Sequence, residues 1–103
     1  MRRVYKYPVP VADEFDLTLP QGAEILHVAV QNYRPQLWAL VDPDAPREER
    51  RFEVRGTGGP VDDYLHHLGT FLLADDTFVG HLFERVGSPE SIEADLASIG
   101  TAA

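Results

Sequence analysis

A chain of 103 residues is the size of one domain with one core, and 44% hydrophobic with 25% charged residues is globular composition, which excludes a wholly disordered chain. Its lack of cysteine excludes a disulfide scaffold, a thiolate metal site and a cysteine nucleophile, and points to an intracellular home. A formal net charge of -8 repels phosphate backbones and anionic membrane surfaces, so no nucleic acid is expected as a partner.

The start, Met1 to Lys6, is basic, but Pro8 and Pro10 and then Asp13 and Glu14 leave no apolar stretch of a secretory signal, and no apolar run is long enough for a membrane helix. No membrane is expected as a partner. Arg2 to Tyr7 alternates as a strand, and the prolines after it suggest a sheet edge. Phe15, Leu17 and Leu19 alternate with Asp16 and Thr18, a half-buried strand stopped at Pro20-Gln21-Gly22. Glu24–Gln31 and Gln36–Val41, divided by Asn32-Tyr33-Arg34-Pro35, read as a hairpin. Both of its strands are apolar on both faces, which predicts a central, doubly covered position.

The prolines of 42–46 dictate a loop. Arg51–Arg55 then alternates Phe52 and Val54 against charges, an exposed strand entering the turn Gly56-Thr57-Gly58-Gly59-Pro60, and Val61–His67 has room for one irregular helical turn. Leu68–Leu73 and Thr77–Phe83, divided by Ala74-Asp75-Asp76, read as a second hairpin. Ser88 suits a helix N-cap, Pro89 the first helical position and Gly100 the stop. The predicted helix over Pro89–Ile99 places Ile92, Leu96 and Ile99 on one apolar stripe. The expected fold is therefore mainly β (α+β), an antiparallel sheet forming a small sandwich or partly open barrel of about six to seven strands with one short C-terminal helix. A single domain spans 1–103, with its β core over 2–84.

Candidate chemistry is sparse. Gly56-Thr57-Gly58-Gly59 lacks the following Lys and helix start of a phosphate loop and reads as a turn. His27, His66, His67 and His81 supply ligand types without ligand geometry, so no metal is expected. The acid pairs Asp42 and Asp44, Asp62 and Asp63, and Asp75 and Asp76 sit in turns, and no Ser or Thr has a nucleophile elbow. No catalytic residue and no cofactor is expected, and the chain does not read as an enzyme. Trp38, mid-strand, reads as core. The remaining candidate is the arginine cluster Arg47, Arg50, Arg51 and Arg55, in which strand alternation puts Arg51, Glu53 and Arg55 on one face. Such guanidinium forks, with Tyr33 as a stacking surface, suit a nucleotide or other small anionic ligand.

The order YKYP (Tyr5–Pro8), ILHVAVQN (Ile25–Asn32), LWALVDP (Leu37–Pro43), FEVRGTG (Phe52–Gly58), LGTFLL (Leu68–Leu73) and HLFE (His81–Glu84) resembles a family of small uncharacterised bacteriophage proteins. The resemblance spans about Val4 to Glu84 and carries no catalytic residue over. It implies a non-enzymatic phage accessory protein that binds a host protein in the host cytoplasm and modulates host physiology or defence. The alternative is a sponge for a nucleotide signal, built on the arginine cluster. An edge strand and an apolar helix stripe also leave surface for a homodimer.

Overall fold

Short apolar and alternating runs set apart by proline- and glycine-bearing turns fold as seven strands in the computed structural model, which describes residues 1–87. They are β1 (Arg3–Pro8), β2 (Glu14–Pro20), β3 (Glu24–Gln31), β4 (Arg34–Val41), β5 (Arg47–Gly56), β6 (Leu65–Leu73) and β7 (Phe78–Arg85). Every pairing is antiparallel, in a three-stranded sheet of order β1-β4-β3 and a four-stranded sheet of order β2-β5-β7-β6. Among the described residues there is no helix and no closed barrel, and the helix expected over Pro89–Ile99 lies outside them. No helix among them is long and apolar enough to cross a membrane.

The two sheets share one core. Leu19 of β2, Val28 of β3, Leu37, Ala39 and Val41 of β4, Phe52 and Val54 of β5, Phe71 of β6 and Leu82 of β7 are buried in it together with Val9 and Ala23, with Tyr5, Tyr7, Phe15 and Leu17 packed against them. Removing a side chain the size of Phe52 or Leu37 from water contributes about 2–3 kcal/mol. The sheets meet along β3 and β6, where each strand carries one extra residue: Leu26 between the pairs Ile25↔Ala39 and His27↔Trp38, and Leu68 between His67↔Phe83 and Gly69↔Leu82. Such bulges bend a strand and increase its twist, which turns one sheet over the other. The approach is close enough that a Cβ on Gly69 would lie 2.7 Å from Val28 Cβ, so only glycine fits there.

Both hairpins form as their turn residues predict, and β1 takes the edge position that its prolines suggest. Other expectations are corrected. Only β4 is central in its sheet; β3 is an edge, and its Leu26, His27 and Val30 are exposed. An unbroken apolar run does not distinguish a strand covered on both faces from an edge strand bent by a bulge. Trp38 points away from the core, because Leu37, Ala39 and Val41 take the inner positions of β4, and it rests half-buried against His27 with ring centroids 5.9 Å apart. Val61–His67 contains no helical turn. Asp62 instead accepts from the backbone N–H of Tyr64 through Oδ1 and of Leu65 through its carbonyl, and β6 begins at once. β5 runs ten residues rather than five, and Phe52, Glu53 and Val54 within it are all buried.

Candidate functional site

The arginines of β5 are divided by the alternation of the strand that carries them. Arg50 lies on the inner side with Phe52, where it donates through Nε and Nη2 to both oxygens of Glu84, at 2.5 and 2.6 Å, and through Nη1 to the Ala23 carbonyl, at 2.5 Å. One fork therefore ties β5 to β7 and to the turn before β3. Its hydrogen bond with Glu84 raises the Arg50 pKa further, against the opposing effect of burial. Arg51 lies on the outer side, donating to Asp16 at 2.6 Å and to Glu14 at 3.3 Å. Arg47 stands exposed at the start of β5, and Tyr33 sits in the turn between β3 and β4, exposed over 96% of its surface. The strand geometry thus brings Arg51 and Arg55 to one face and sends Arg50 to the other.

Arg55 is the most engaged of the four. Its Nε donates to the Pro60 carbonyl at 2.9 Å, its Nη1 to the Asp13 carbonyl at 3.1 Å and its Nη2 to Glu53 Oε1 at 2.5 Å. Glu53 is only 4% exposed and accepts from Arg85 Nε through its other oxygen. Arg85 reaches on to Asp62 at 2.8 Å and to the Gly87 carbonyl at 3.1 Å. Burial alone pushes the Glu53 carboxyl up, but hydrogen bonds from Arg85 and Arg55 together outweigh it and hold it below its ordinary value. The Arg85 hydrogen bond, helped by the Tyr64 N–H, likewise lowers Asp62. A buried carboxylate between two guanidinium groups is the arrangement that makes burying a charge tolerable.

Beside this network a row of hydrogen bonds crosses the outer face of the same sheet. His67 Nε2 and Thr70 Oγ1 lie 3.1 Å apart, Thr70 Oγ1 and His81 Nδ1 2.9 Å, and His81 Nε2 and Thr57 Oγ1 2.9 Å. The row fastens the glycine-rich turn to β6 and β7. Sequence reasoning missed it because it depends on the one-residue slip at Leu68, which has no local signal. No buried side-chain polar atom among the described residues lacks a partner, and no three of their His, Asp or Glu residues are placed to hold a metal ion.

One end of the molecule is built differently. The tips of the two hairpins, Asn32-Tyr33 and Ala74-Asp75-Asp76, carry five non-glycine residues at positive φ, between 53° and 68°. Asparagine and aspartate tolerate that region, but tyrosine and alanine do so at a cost. Tyr33 and Leu73 line both of two open hollows between the tips. One, of about 600 Å³, is completed by Val30, Leu72 and Ala74 to Asp76. The other, of about 400 Å³, is completed by Pro8 to Val11, Arg34 and Pro35. Leu72 is 48% exposed, and Val11 and Val30 also face water. Sequence reasoning singled out Tyr33 only as a stacking partner for the arginines, and passed over the prolines as strand terminators.

Fold and site together define a two-sheet antiparallel β domain with a stitched charged face and an apolar, strained hairpin end. The chain belongs to the family described as Domain of unknown function (DUF7352), which matches residues 1–93. No curated protein and no solved structure matches it.

Proposed function

We propose that this chain is a protein-binding module, a phage accessory protein that docks a host protein in the host cytoplasm with the end formed by its two hairpin tips. The observation that carries this reading is the concentration there of water-facing apolar side chains, Val11, Val30, Tyr33 and Leu72, beside left-handed, non-glycine tip backbone. At Tyr33 and Ala74 such backbone costs about 1–2 kcal/mol each, and strain of this kind clusters where a surface is shaped for a ligand. Solvent-facing apolar groups around a concavity are the usual mark of a docking surface. The alternative of a nucleotide sponge draws less support, because Arg50, Arg51 and Arg55 already spend their donors on partners within the chain.

A photo-crosslinking side chain installed at Tyr33 or Leu72, and as a control at the exposed Thr18 on the outer face of the four-stranded sheet, tests the reading in host extract. Adducts of one mass from Tyr33 and Leu72, and none from Thr18, are expected. Equal labelling from all three positions, or labelling from none, overturns it.

A further inference from the structure

The structure points to the chemistry of the docked segment: we infer that the hairpin end takes an extended cationic peptide, with a Lys or Arg in one hollow and a proline or aliphatic residue in the other. This rests on the docking reading above. The two hollows adjoin at Tyr33 and Leu73, so one ligand chain crosses both. Extended and polyproline backbones send successive side chains in different directions, which suits paired hollows better than it suits one compact ligand.

The hollows differ in kind. The larger has Asp75 and Asp76 in its wall, on a chain of net charge -8, so the local and the overall field both favour a cation. The smaller is walled by Pro8, Val9, Pro10, Val11 and Pro35, with Arg34 as the only charged residue among the described residues that line it. Proline has no N–H to donate, so this wall offers apolar contact, and the Arg34 guanidinium repels a second cation. Between them Tyr33 presents a ring almost wholly in water, the kind of platform on which prolyl residues dock. Its left-handed φ of 65° holds the ring out where a glycine would leave the tip bare.

The test is a fluorescence-anisotropy titration with two labelled probes, a peptide repeating arginine, proline and leucine and its counterpart with glutamate for arginine. The arginine probe is expected to saturate and the glutamate probe to bind at least about tenfold more weakly. Tyr33→Gly, and the double change Asp75→Asn with Asp76→Asn, are each expected to weaken the arginine probe by about tenfold or more, while Thr18→Ala leaves it unchanged. Glycine suits the turn, so Tyr33→Gly stays folded, which a thermal melt verifies. Equal binding of the two probes, no binding of either, or an arginine-probe affinity untouched by these changes overturns the inference. Tip-specific crosslinking alongside such a null result would leave the docking reading standing with a partner of different chemistry.

Discussion

The outer face of the four-stranded sheet and the hairpin end hold the two most conspicuous sets of side chains in the molecule, and they are built on opposite terms. On the sheet face the charged groups are spent on one another: Arg51 on Asp16 and Glu14, Glu53 on Arg55 and Arg85, and Arg85 on Asp62. At the hairpin end, Tyr33, Leu72 and Val30 face water, and Tyr33 does so on backbone that most side chains avoid. A density of charge marks a site less well than surface left uncompensated, because paired groups have little more to gain from a ligand.

Substitutions can break this contrast. The largest effect is expected at the inner ion pair. Glu84→Ala strips the part-buried Arg50 guanidinium of its bidentate carboxylate, leaving only the more distant Glu48 as counter-charge, and should cost about 3 kcal/mol, read as a lower denaturant midpoint. An unchanged midpoint would mean that Arg50 is free to serve a ligand. Gly69→Ala drives a methyl group into Val28 where the sheets meet, and should cost about 2 kcal/mol in the same assay.

Glu53 sharpens the contrast through pH. Its carboxyl is held below the ordinary value of 4.5, so the folded state binds this proton less readily than the unfolded chain does. The stability it supplies is complete above the unfolded value and is lost as pH falls through the lower folded one. Glu53→Gln should flatten that acid limb in melts taken from neutral pH downward; an identical limb would show that the buried carboxylate does not set it. At the hairpin end the sign reverses. Tyr33→Gly removes left-handed strain and should raise stability by about 1 kcal/mol while docking is lost. Arg51→Ala is the smallest change: its pairs are exposed, and denaturation should not resolve it from the parent.

Much of this fold was legible in the residues. Asn32-Tyr33 between two apolar runs and Ala74-Asp75-Asp76 between two more fixed both hairpins, and alternation in β5 correctly set Arg51, Glu53 and Arg55 against Phe52 and Val54. What alternation cannot say is which side the core lies on when both sides carry large groups. Trp38 was misplaced for that reason, as was the isolation of Arg50 from its neighbours. The ion pairs joining β5 to β2 and β7 depend on register between strands far apart in sequence, and the bulges at Leu26 and Leu68 shift register without altering composition. The hairpin end was the least legible part. Its hollows are made by segments around residues 8–11, 30–35 and 72–76, each of which reads locally as a turn or a strand end.

The strand order also sets a schedule. The β3–β4 and β6–β7 hairpins each close over a few residues and can form in microseconds, whereas β1–β4 and β2–β5 must close loops of tens of residues and are slower. The proposed docking end draws its tips and Pro35 from the two quick hairpins, and Pro8 to Val11 of its wall from the end of β1 and the link to β2. The proposed docking surface would therefore be completed last: a chain with both hairpins formed but β1 and β2 still unpaired presents Tyr33, Pro35 and the acidic tip without Pro8 to Val11.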